Sequence, residues 1–150
     1  MSTHDEDLTD KHAPWRVVLF DDCETAKEEF EDLWAEVGTR IQLLWLPRPR
    51  IDMSVQQELL SFRPDLFVID LMMGRSDRDG LDIIRRLQNI PELREVPIVV
   101  CSKFVNSSTQ GQQLEAECSA LPGVARVYGK LNGRQMVSDL AKIVRRSTVS

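Results

Sequence analysis

"LFVIDLMMGRSDRDGLD", residues 66–82, decides the fold. It opens as a continuous β-branched and aromatic run, meets a single acid, Asp70, crosses a polar loop and resumes with Leu81, Ile84 and Leu87 at helical spacing. An unbroken apolar run, rather than an alternating one, marks a strand buried on both faces, and such strands belong to parallel sheets covered by helices. A carboxylate at the end of such a strand either caps a helix or does chemistry. No helix pattern begins directly after Asp70, so capping is the weaker reading.

The same unit recurs on both sides of this stretch. "RVVLF" (16–20) reads as a first strand, followed by a helix with Phe30, Leu33, Trp34 and Val37 on one face. Asp22 is placed to cap that helix and Gly38 to end it. "RIQLLWL" (40–46) is a second strand, stopped by Pro47 and Pro49, and residues 52–62 form a short helix around Val55, Leu59 and Leu60. "DLFVID" (65–70), "VPIVVC" (96–101) and "VARVYG" (124–129) are the remaining strands. A helix is expected over 109–121, and a last one over 133–146 with Met136, Val137, Leu140, Ile143 and Val144 inward. Residues 1–14 are expected to be a flexible tail, 15–146 one domain, and 147–150 a C-terminal tail. Five βα units predict an α/β fold, a doubly wound five-stranded parallel sheet of order 2-1-3-4-5.

Bulk properties exclude several classes. The 150 residues suffice for one core, and a 42% apolar, 29% charged composition is ordinary for a globular chain. A net charge of -5 argues against non-specific binding to nucleic acid or an anionic membrane. The apolar runs are too short to span a bilayer, and the first fourteen residues carry no secretory signal. Cys23, Cys101 and Cys118 have no metal-ligand spacing and read as free thiols in a reducing, cytoplasmic setting. Trp15, Trp34 and Trp45 read as packing residues.

In a sheet of this order the ligand site lies beyond the carboxyl ends of strands one and three. Strand one delivers Asp21 and Asp22 there, strand three Asp70, strand four Cys101, Ser102 and Lys103, and strand five Gly129 and Lys130. Clustered carboxylates repel, and a divalent cation removes that penalty. All-oxygen donors select a hard ion such as Mg2+. A cation, a lysine and a hydroxyl around one acid can each take a phosphoryl oxygen, and the acid left over, Asp70, can form an acyl phosphate.

These pieces, "VVLFDD", "LFVIDLMM…DGLDIIRRL", "VPIVVCSK" and "VYGK", resemble the receiver domain of two-component response regulators, a flavodoxin-like fold, over about residues 15–146. The resemblance implies that Asp70 is the phosphoacceptor and that Asp21, Asp22 or both hold Mg2+ with it. It implies that the backbone carbonyl of Met72 completes the protein ligands, that Ser102 is the switch hydroxyl, and that Lys130 is the family's lysine. Its partners would be a histidine kinase or phosphotransfer protein and an unknown downstream protein, with no nucleic acid and no membrane; a homodimer is compatible with the reading.

The chain also departs from the pattern. Gly74 stands where a proline is usual, and the loop after Asp70 is about two residues longer. Lys103 follows the switch position, where a small residue is usual. Leu131 follows Lys130 in place of a proline, and a cis bond there would cost roughly 2.5–4 kcal/mol. Val127 occupies the aromatic switch register, with Tyr128 one residue late. The expectation is a stand-alone or nearly stand-alone receiver, not an enzyme in the usual sense, whose output passes through protein contacts. A pseudo-receiver that is never phosphorylated is the alternative. A phosphatase of the same sheet type ranks below both, because Met72 replaces the second acid such an enzyme needs.

Overall fold

Strands that are apolar on both sides need cover on both sides, and two helical layers supply it. The computed structural model describes residues 14–70, 79–102, 116, 120, 124–129 and 133–149. The elements are β1 (Trp15–Phe20), α1 (Glu24–Val37), β2 (Ile41–Leu46), α2 (Met53–Phe62), β3 (Leu66–Ile69), α3 (Asp79–Gln88), β4 (Ile98–Ser102), β5 (Val124–Gly129) and α4 (Gly133–Val149). All strand pairings are parallel, and the sheet has five strands in the order β2-β1-β3-β4-β5. The doubly wound architecture and its strand order therefore hold as expected. The helix expected over 109–121 falls mostly outside the described residues.

Alternation along the central strands divides the core in two. Val18 and Phe20 of β1, Phe67 and Ile69 of β3, and Ile98 and Val100 of β4 pack with α2 and α3, through Leu59, Leu81, Ile83, Ile84 and Leu87. Val17, Leu19, Leu66, Val68 and Val99 face the other way and meet α1 and α4, through Phe30, Trp34, Met136, Val137, Leu140 and Val144. β3 is buried at all four positions, as its unbroken apolar run requires. Each of these side chains contributes about 1.5–3 kcal/mol by leaving water.

Helix ends show where local signals compete. α2 starts on Asp52, whose carboxylate accepts from the Val55 N–H at 2.9 Å. α1 ends on Gly38, whose φ of 74° is one that few side chains tolerate. The expected cap by Asp22 is not made. The N-cap of α1 is Cys23, without a side-chain cap, and its N–H goes to Asp21 Oδ1 at 3.0 Å. An aspartate that bonds two residues ahead competes with capping, and here it shifts the helix start by one residue. Two details differ at α4. Ile143 is 45% exposed rather than inward, and the helix continues to Val149, through residues expected to form a tail.

Trp34 is 1% exposed, and its indole N–H has no acceptor among the described residues. A stranded buried donor costs about 1–3 kcal/mol, whereas a phenyl ring in its place loses about 1–2 kcal/mol of packing. Trp34→Phe should therefore lie within about 1 kcal/mol of wild type, and Trp34→Ala should cost about 3–5 kcal/mol. Urea melts of the two variants check this; a Phe variant as damaged as the Ala variant would show the N–H to be satisfied.

Candidate functional site

Parallel register lines up the carboxyl ends of the central strands. Phe20 pairs with Leu46 on one side and Ile69 on the other, and Ile69 pairs with Val100. One residue further along stand Asp21, Asp70 and Cys101, level across the sheet. The ladder continues past the strands: the Asp70 N–H donates to the Phe20 carbonyl at 2.9 Å, and the Asp21 N–H to the Leu46 carbonyl at 3.3 Å. Acids far apart in sequence are thus delivered to one place by main-chain hydrogen bonds.

Asp21 and Asp70 are buried, at 4% and 6% exposure, while Asp22 is exposed. A carboxylate oxygen from each of the three lies within 4.8 Å of the others. Beside them opens a small cleft of about 60 Å³, whose lining includes Phe30, Cys101, Gly133 and Met136 along with Asp21 and Asp70. At an effective dielectric of about 20, two like charges some 5 Å apart repel by roughly 3 kcal/mol. The donor set is all oxygen, with one exposed member through which an ion can enter. Oxygens on opposite vertices of an Mg2+ octahedron are about 4.1 Å apart, so the three carboxylates come close to a binding set. The arrangement is compatible with a divalent cation.

Order, register and the acidic switch point together decide the architecture. The chain has the receiver fold of response regulators. Solved structures similar to it include the signal receiver domain of a signal transduction histidine kinase from Syntrophus aciditrophicus, at 21% identity and a TM-score of 0.64, covering 87% of this chain and 89% of that one. The Mn2+-bound form of response regulator Rcp1 is similar at 17% identity and a TM-score of 0.61, covering 85% of this chain and 91% of that one. The phosphorylated cyanobacterial phytochrome response regulator RcpA is similar at 16% identity and a TM-score of 0.62, covering 92% and 96%. No family model matches the sequence, and no curated protein matches it.

The receiver fold brings Asp21, Asp22 and Asp70 together as the sequence suggested. Ser102 ends β4 opposite Gly129, the last residue of β5, so its backbone is at the same rim; its side chain is outside the described residues. Lys130, Met72, Lys103 and Leu131 also lie outside them. Tyr128 is 7% exposed and packs on the α1–α4 side, its hydroxyl donating to Asp139 Oδ2 at 2.8 Å.

One residue that sequence reading took as packing reaches the site. The indole N–H of Trp45 donates to the Asp21 carbonyl at 2.6 Å. The available signal was a polar-tipped aromatic one residue before the end of a strand adjoining the acids.

Millimolar Mg2+ should raise the melting temperature of the wild-type protein. At a hundred times the dissociation constant the gain is about 2.7 kcal/mol, roughly 5–10 °C for a domain of this size. Asp21→Asn and Asp70→Asn should each lose most of it. Differential scanning fluorimetry in EDTA and in Mg2+ checks this, and shifts of equal size in the variants would exclude these acids as ligands.

Proposed function

We propose that this chain is a phosphoryl-accepting receiver: Asp70 takes a phosphoryl group from a histidine kinase or phosphotransfer protein, with Mg2+ held by Asp21, Asp22 and Asp70. The observation that carries the reading is the convergence of these three acids at the switch point of a receiver fold, two of them buried. Two buried carboxylates side by side are costly to desolvate. The similarity to a Mn2+-bound and to a phosphorylated response regulator supports the same reading.

In the transfer, a carboxylate oxygen of Asp70 attacks phosphorus in line with the donor nitrogen. The P–N bond of the phosphohistidine breaks, the imidazole keeps the electron pair, and a mixed anhydride forms on Asp70. When bound, the cation neutralises charge on the phosphoryl oxygens and on the acids. The Asp70 N–H bond to the Phe20 carbonyl ties its backbone to β1, which limits where the attacking carboxylate can stand. The resemblance implies that the Met72 carbonyl would complete the metal ligands and that Lys130 and Ser102 would take the remaining phosphoryl oxygens.

The chain then acts as a switch rather than a catalyst with turnover. Charge added at Asp70 biases a two-state surface that a downstream protein reads. No helix among the described residues is long and apolar enough to cross a membrane. A cytoplasmic setting completes the reading, and a protein partner, rather than nucleic acid or an anionic lipid surface, agrees with a net charge of -5.

Incubation with acetyl phosphate and Mg2+ should add one phosphoryl mass to the intact protein. The adduct should be absent from Asp70→Asn and from a reaction containing EDTA. Lys103, Val127 and Leu131 are the sequence features that favour a pseudo-receiver. A wild-type protein that gains no mass under these conditions would establish that reading instead.

A further inference from the structure

The loop that carries two of the three acids is held from a neighbouring strand by a side chain. The Asp21–Asp22 peptide is planar, so fixing its carbonyl oxygen fixes the plane that joins both acidic residues. That oxygen receives the Trp45 indole N–H at 2.6 Å. The N–H of Asp21 is held by the Leu46 carbonyl at 3.3 Å, and Asp21 Oδ1 by the Cys23 N–H at 3.0 Å. Trp45 itself is braced: it is half-buried against the α1–α4 core, and the Lys27 ammonium lies 5.7 Å from its ring centroid. Lys27 is in turn held by Glu31 at 3.1 Å. The indole thus connects β2, the first two turns of α1 and the acidic loop.

We infer that Trp45 is a positioning residue for the divalent-cation site: through the Asp21 carbonyl it holds the Asp21 and Asp22 carboxylates in the arrangement that binds Mg2+ alongside Asp70. This deepens the proposed function and rests on it. Trp45 touches neither metal nor phosphoryl group, and it acts by removing freedom that the loop would otherwise lose on binding. A ligand-orienting hydrogen bond of this kind is worth about 10–100-fold in metal affinity.

The test is Mg2+ titration by calorimetry on wild type, Trp45→Phe and Asp70→Asn. Melting temperatures are measured in EDTA alongside. Phe keeps a ring for the core and for Lys27 but has no N–H. The expected result is an Mg2+ dissociation constant about tenfold higher in Trp45→Phe, at a metal-free melting temperature close to wild type. Equal affinities in wild type and Trp45→Phe would overturn the inference and leave the metal site standing. A wild-type protein that takes up no Mg2+ would overturn the functional reading, and this inference with it.

A second readout uses the unmodified protein and so does not depend on how the variant folds. The Trp45 indole N–H resonance, assigned by its absence from the Trp45→Phe spectrum or by site-specific labelling, should be protected from exchange without metal. It should also shift as Mg2+ is added. A rapidly exchanging resonance that ignores saturating Mg2+ would overturn the inference independently.

Discussion

One hydrogen bond sets the geometry on which the site depends: the Asp70 N–H donating to the Phe20 carbonyl, one step past the last paired residues of β1 and β3. Parallel strands exchange evenly spaced bonds, so their register determines which residues emerge side by side at the carboxyl edge. With Phe20 opposite Ile69, the next residues out are Asp21 and Asp70. A slip of one residue would turn the side chains of β3 over, moving Val68 into the α2–α3 layer and Ile69 into the α1–α4 layer. It would also take Asp70 out of line with Asp21. Core packing and acid placement are therefore the same constraint: the side chains that lock the register, Phe20, Phe67, Ile69 and Val100 among them, also bring the carboxylates together.

That coupling explains why so much was legible in the sequence. A doubly buried strand such as β3 announces itself as an unbroken apolar run, and five strand-like runs in alternation with helical stripes leave few topologies. Once the order is known, the last residue of each run names the rim. Asp21, Asp22 and Asp70 could be placed together in this way without any knowledge of distances. Other features depended on competition between local options, which a linear pattern does not rank. Asp22 looks like a helix cap, yet the aspartate before it bonds the Cys23 N–H and the helix begins one residue later. Ile143 fits the stripe of α4, yet it stays 45% exposed.

Trp45 belongs to a third kind. Its role is invisible in the periodicity of β2, where it reads as one more apolar residue. Only the pairing of Leu19 with Trp45 and Phe20 with Leu46 brings its ring beside the loop after β1. Cross-strand relations of this sort need the register before they can be seen, and the register comes from the whole sheet. The same holds for the Tyr128–Asp139 bond, which ties β5 to α4 through two residues that neither element's own pattern singles out.

The distribution of buried charge is uneven, and it singles out the carboxyl edge of β1 and β3. Asp21 and Asp70 are the only buried polar or charged side chains among the described residues, and they are neighbours. Elsewhere the two cores are built almost wholly from apolar side chains, the Trp34 N–H and the Tyr128 hydroxyl excepted. Burying a carboxylate carries a desolvation cost and two at one place repel, so a purely structural core has little reason to hold both. Stability given up at one point of an otherwise consistent design marks a functional site. The ladder of β1 and β3 fixes where both carboxylates emerge, so the register that seals the core also imposes that cost.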